Sequence, residues 1–174
     1  MSGETTPLRW VRPTKSFDWS DGVRALGLAL VVNIAGATPA ILGGPDSSWF
    51  ASLDKPALFP PTWAFGVVWT ALFTMMGLAV YLVAREGLDR KPVRIALGLF
   101  GVQFLFNIAW TPVFFAFQQP LAALGIIAVL DVLVAVTIVA FARVERVAAT
   151  LLVPYLLWAL FATLLNYQFW ALNA

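Results

Sequence analysis

IALGLFGVQFLFNIAWTPVFFAFQQPLAALGIIAVLDVLVAVTIVAFA, residues 95–142, runs for 48 positions with one charge, Asp131. A helix crossing a hydrocarbon core of about 30 Å uses roughly 20 apolar residues, so this stretch is too long for a single crossing. Gln118, Gln119 and Pro120 interrupt it near its middle, and it reads as two helices joined by a tight turn. Three more charge-free stretches, at 25–43, 62–84 and 147–172, are each long enough to cross alone. The fold class that follows is all-α, an integral membrane bundle of five transmembrane helices over 23–174 behind a polar N-terminal tail at 1–22.

Composition agrees. Of the 174 residues, 61% are hydrophobic and 11% charged, with a mean hydropathy of +0.85, which is more apolar surface than a soluble domain of this length can bury. Eleven Lys and Arg against nine Asp and Glu leave a net charge of +2, so the isoelectric point near 9.3 reflects few titrating groups rather than a basic face, and nucleic acid is not an expected partner. The absence of Cys and His excludes disulfides, thiol chemistry, thiolate or imidazole metal sites and every His-based triad. No metal site and no cofactor are expected. Glu4, Arg9, Arg12, Lys15, Asp18 and Asp21 make the first 22 residues a polar tail rather than a signal peptide.

Five crossings put the tail and the segments at 85–94 and 143–146 on one side. That side holds ten of the eleven basic residues, Lys55 alone lying opposite. The positive-inside rule then predicts a cytoplasmic N-terminus and an external C-terminus, and merging or deleting any one span would scatter the basic residues over both sides. Pro39, Pro112 and Pro154 fall inside or near span interiors, where the lost backbone hydrogen bond is made good by neighbours; they either open space between helices or shape packing. Ala25 and Ala29, four apart, suggest close helix contact.

Most of the eight tryptophans fit an interfacial belt: Trp49, Trp63, Trp110 and Trp170 fall near the external boundary, and Trp10 and Trp19 in the tail. Trp69 and Trp158 do not. Trp69 lies about 10 Å inside the second span, and Trp158 is near the middle of the fifth. Indoles at that depth need partners for their N–H groups, which suggests a cavity with polar features. Gln103 and Asn107, four apart on one face of the third span, are candidates for its lining or for interhelical hydrogen bonding. Asp131 is the one intramembrane acid. It reads either as a proton-coupled transport site or, more simply, as a structural group bonded to a neighbour such as Thr137 or a third-span amide. The segment GGPDSSWFASLDKPALFPPTW, residues 43–63, is too apolar for a solvated loop and is expected to fold over the external mouth as a lid. With no phosphate loop, paired carboxylates or activated serine, the residues favour a binding protein over a conventional enzyme.

Three motifs, WFASLDKPALFPPTWAFGVVWTALFTMMGLAVYLV, QFLFNIAWTPVFFAFQQPLAAL and LLVPYLLWALFATLLNYQFWALN, together resemble the tryptophan-rich sensory protein family (TspO/MBR), whose eukaryotic members are the translocator proteins or peripheral benzodiazepine receptors. The resemblance implies five transmembrane helices, a homodimer, and a pocket for tetrapyrroles such as protoporphyrin IX and, in many members, sterols and benzodiazepine-type drugs. It implies that Trp69 and Trp158 face the porphyrin, that Gln103 and Asn107 form the polar pair, and that Trp49 and Phe50 begin the lid. Tyr155, Ala162 and Asn166 belong to the fifth-span motif, and Trp110 completes the expected ligand-binding set. Light-dependent porphyrin degradation, reported for some members, would fall to Trp69 and Trp158; whether this chain is an enzyme stays open. Two features depart from the pattern. Tyr167 is followed by QFWALNA without the basic residue of the animal steroid motif, which argues against sterol binding there, and Asp131 stands at a position where some members carry an acid and others Trp, which leaves the resemblance intact.

The expected function is therefore a membrane receptor or carrier for tetrapyrroles, with lipid around it, in a prokaryotic plasma membrane. The alternatives are a small-solute transporter coupled to protons through Asp131 and a non-catalytic sensory or scaffold protein.

Overall fold

The computed structural model describes residues 18–41, 43–44 and 46–174, so most of the tail expected at 1–22 lies outside the described residues. Six α-helices are present among them: α1 (Trp19–Ala37), α2 (Ser48–Ser52), α3 (Thr62–Ala84), α4 (Lys91–Thr111), α5 (Pro120–Ala142) and α6 (Arg146–Asn173). All but α2 are long and apolar enough to cross a membrane. The two halves of the 48-residue stretch that decides the fold are α4 and α5.

Helix ends follow local chemistry. α1 begins six residues ahead of the apolar stretch because Asp18 and Asp21 form a reciprocal capping box, each carboxylate accepting the other's backbone N–H, at 2.9 and 3.2 Å. Hydropathy cannot register such a cap. Glu145 caps α6 through the Val147 N–H, and Pro92 and Pro120 sit in first turns, where a missing N–H costs nothing. At Pro112 the chain widens into a π-helical turn over Pro112–Ala116, closed by the Phe117 N–H on the Pro112 carbonyl. Gln118, at φ +56°, then reverses the chain into α5. Pro39 falls in a 3₁₀ turn, Thr38–Ile41, that ends the first span, whereas α6 passes through Pro154 unbroken.

The helices close into a ring. α1 packs on α3, α3 on α6, α6 on α5 and α5 on α4, and α4 returns to α3 and to the end of α1. The core is apolar, with Met76, Ala79, Val83, Phe141 and Leu152 buried, while Leu30, Ile34, Val67, Leu105, Val132 and Leu157 point outward as a lipid-facing surface should. α1 and α3 cross so tightly that a Cβ added at Gly77 would lie 2.4 Å from the Ala29 Cα. This contact gives the Ala25–Ala29 spacing its role, since small residues let two backbones approach. Near the same end, Tyr81 donates its hydroxyl to Asp21, and Arg85 lies 3.8 Å from that carboxylate, tying the start of α1 to the end of α3.

Gly77→Ala is expected to force these helices apart at a cost of about 1–3 kcal/mol. Gly98→Ala, whose Cβ would meet no atom within 4 Å, is the matched control. Thermal unfolding in detergent should show a lower midpoint for the first variant only.

Candidate functional site

Opposite the Arg85–Asp21 end, the ring encloses a cavity of about 360 Å³, within the range of small-molecule sites. Trp69, two turns into α3, and Trp158, midway along α6, both line it. Trp69 stacks on Phe73 with ring centroids 5.1 Å apart and meets the Tyr155 ring edge-on. Trp158 stands edge-on to Phe65 at 5.9 Å, and its indole N–H is buried with no protein partner. Trp110 of α4 forms a third wall, stacked on Phe114 at 5.3 Å. Its indole N–H is held within the protein. Its N–H donates to the Asn166 carbonyl oxygen at 2.9 Å, and the Asn166 amide donates to the Pro120 carbonyl at 2.8 Å. One side chain of α6 thereby fastens the end of α4 to the start of α5 beside the π-helical turn.

Gln103 and Asn107 share a face of α4, as their spacing predicts, and both are buried. The Asn107 amide donates to the Tyr155 hydroxyl at 2.9 Å, which donates to the Gln103 carbonyl oxygen at 3.1 Å. Asn107 reaches the cavity wall; Gln103 and Tyr155 stand behind it, so the amide pair both borders the cavity and ties α4 to α6. Ala162 and Asn166 complete the α6 wall.

Residues 47–59 cover the far end. Ser47 caps α2 through the Phe50 N–H, and Phe50, 2% exposed, drops into a cluster with Phe59, Phe114, Phe115 and Phe169. Phe50 lines the cavity; Trp49 does not, packing edge-on against Phe114 at 5.8 Å. A pair of hydrogen bonds clasps this cover to the end of α6. The Asp54 N–H donates to the Asn173 carbonyl oxygen at 2.9 Å, and the Asn173 amide donates to the Asp54 carbonyl at 3.1 Å.

Asp131 is outside the cavity lining, and its partner is neither Thr137 nor a third-span amide. Thr163 of α6 donates to it at 2.8 Å, while Thr137 donates to the Leu133 carbonyl of its own helix. Six residues along a helix turn a side chain through about 240°, so Thr137 faces away from Asp131. The cavity also takes residues that sequence reasoning passed over. Asn33 and Gly36 of α1 line it, as do Phe65, Phe73 and Phe169. Asn33 carried a legible signal, an amide inside an apolar span like Gln103 and Asn107, whereas phenylalanines in a membrane helix look like ordinary packing. Among the described residues no three acids, histidines or cysteines gather where a metal ion could be held. What the site offers is indole and phenyl faces with amides at the edge, an arrangement suited to holding a flat, largely apolar molecule.

A ring of five helices long and apolar enough to cross a membrane, closed around an aromatic cavity, defines a polytopic α-helical membrane protein. The TspO/MBR family pattern matches residues 25–171. The chain is 42% identical over 148 residues to the tryptophan-rich protein TspO of Chlorobaculum tepidum, covering 85% of this chain and 92% of that one. It is 41% identical to the tryptophan-rich sensory protein of Cereibacter sphaeroides, over 80% of this chain and 85% of that one, and 42% identical to the human translocator protein, over 75% and 78%. The chain belongs to the TspO/MBR family and is an integral membrane protein.

Tyr155→Phe should leave the Asn107 and Gln103 amides short of a partner and cost about 1–3 kcal/mol, because a buried polar group loses its bond without regaining water. The check is the unfolding midpoint, with Tyr167→Phe, at an exposed tyrosine, as the control.

Proposed function

We propose that the cavity is the binding pocket of a membrane receptor or carrier for tetrapyrroles such as protoporphyrin IX. The observation that carries this reading is the convergence of Trp69, Trp110 and Trp158, from three helices, on one cavity bordered by Asn107 and Asn166. Their indole faces would stack on a planar macrocycle, and the unpaired Trp158 N–H would donate to a polar atom of the ligand. Family membership and the resemblance in motif residues support the choice of ligand. Trp49, Phe50, Tyr155 and Gln103 then act from behind the wall or as the cover, holding the contact residues in place. We place the domain at 23–174 in a prokaryotic plasma membrane, as a homodimer with its N-terminus in the cytoplasm, on the charge asymmetry and the family resemblance. The Asp131–Thr163 bond, which ties α5 to α6 away from the cavity, supports a structural role for the acid rather than proton-coupled transport.

Titrating purified protein with protoporphyrin IX should quench tryptophan fluorescence saturably. The double variant Trp69→Phe, Trp158→Phe should bind about tenfold or more weakly, since each lost indole contact is worth about 1 kcal/mol. Absence of saturable quenching in the unmodified protein would overturn the reading. Illuminating the same samples tests turnover: pigment loss slowed by Trp158→Phe with binding retained would assign that indole to the photochemistry.

A further inference from the structure

The cavity is not walled evenly. Its lining residues on α4, the π-helical turn and α6, including Asn107, Trp110, Phe114, Trp158 and Asn166, are buried or half-buried. Among the described residues, the lining residues that are exposed are Ala37 and Ala40, at the end of the first span, and Thr62, Gly66 and Thr70 on α3. A residue that both lines a cavity and meets the outside marks its opening, and here all five fall on two neighbouring elements, the end of the first span and the start of α3.

The opening has a definite floor. α1 and α3 touch at Ala29 and Gly77, are bonded from the Asn33 amide to the Thr74 hydroxyl at 3.1 Å, and are sealed one turn further by the Phe73 ring over Gly36. Beyond Phe73 the end of the first span turns away from α3, its 3₁₀ turn packing on α4. At Gly66 an added Cβ would meet nothing within 4 Å. From Thr62 to Thr70 the slot is about 12 Å tall at 1.5 Å per residue, and all of it belongs to helices long and apolar enough to span the bilayer. Within the slot, Thr70 turns its hydroxyl back onto the Gly66 carbonyl at 2.8 Å, so that polar group is already satisfied. The end of the cavity, by contrast, is shut by buried Phe50 and clasped by Asn173 and Asp54.

We infer that the slot between the end of the first span and the start of α3 is a lateral portal, through which a flat apolar ligand already dissolved in the membrane enters the cavity edge-on, with Gly66 keeping the doorway clear. A ligand arriving from water would have to displace Phe50 and its aromatic neighbours and break the Asn173 clasp. One arriving from hydrocarbon displaces only lipid. This rests on the binding reading above and adds the route and the class of ligand, one that partitions into the bilayer.

The test uses protein reconstituted in vesicles and protoporphyrin IX delivered from donor vesicles, followed by stopped-flow tryptophan quenching. Gly66→Trp should slow association about tenfold and slow dissociation with it, the signature of a narrowed doorway. Gly98→Trp, on open α4 surface, should change neither. Unchanged association, or unchanged association with faster dissociation, would mean that the new indole merely occupies the cavity and would overturn the portal. Faster entry in Asn173→Ala with no effect of Gly66→Trp would overturn it in favour of the covered end. A second measurement needs neither ligand nor a bulky variant. The chain has no cysteine, so Thr70→Cys can carry a single nitroxide label. Frequent collisions with oxygen and rare ones with a water-soluble nickel chelate would place the slot in hydrocarbon; frequent nickel collisions, or shielding from both, would overturn the portal. If protoporphyrin IX fails to bind at all, the tetrapyrrole reading falls and the label alone decides the portal.

Discussion

Inside hydrocarbon a polar group has no water to turn to, so every amide, hydroxyl and carboxyl within these five helices has to be answered by the protein itself or left at a cost. The answers lie between helices. Asn33 reaches Thr74, Asn107 and Gln103 share Tyr155, Thr163 meets Asp131, and Asn166 joins Trp110 to Pro120. These few bonds tie α1 to α3, α4 to α6, α5 to α6, and α4 to the start of α5. Apolar packing alone would allow the helices to slide, because lipid tails are as apolar as leucine. Each polar bond sets a register, and together they hold the ring open around its cavity.

Two small-residue features set the shape of that space. At Gly77 the absence of a side chain lets α1 lie against α3, closing the cavity's floor. At Gly66 the same absence leaves the wall open. The same residue type does opposite work because one position faces a backbone and the other faces nothing. The aromatic side chains fill what remains: Phe50 and its neighbours plug one end with edge-on contacts, while Trp69, Trp110 and Trp158 stand back far enough to leave room for a guest. The buried Trp158 indole N–H, which no protein group accepts, gives this apolar wall a polar point.

Much of this was legible in the chain by itself. The five spans follow from uninterrupted apolar length, a property of composition that no neighbour alters, and the depth of Trp69 and Trp158 follows from counting residues along a rigid helix. The shared face of Gln103 and Asn107 follows from the same periodicity. The start of α1 at Trp19 escaped hydropathy because a capping box is a matter of two carboxylates and not of apolar length. What depended on which helix stands beside which could not be read. Helix periodicity already turns Thr137 away from Asp131, but that Thr163, 32 residues away, holds the acid could not be read along the chain. Trp110 read both as a boundary tryptophan and as a ligand-binding candidate, and that its N–H is held by Asn166 could not be read from the chain. Sequence alone thus determined how many helices cross, which residues lie deep and which share a face, because helix geometry is local. Only the tertiary structure decided which polar groups pair and where the cavity opens, because those depend on the rotation and order of the helices, and an apolar surface turned toward lipid is written in the same residues as one turned toward a neighbour.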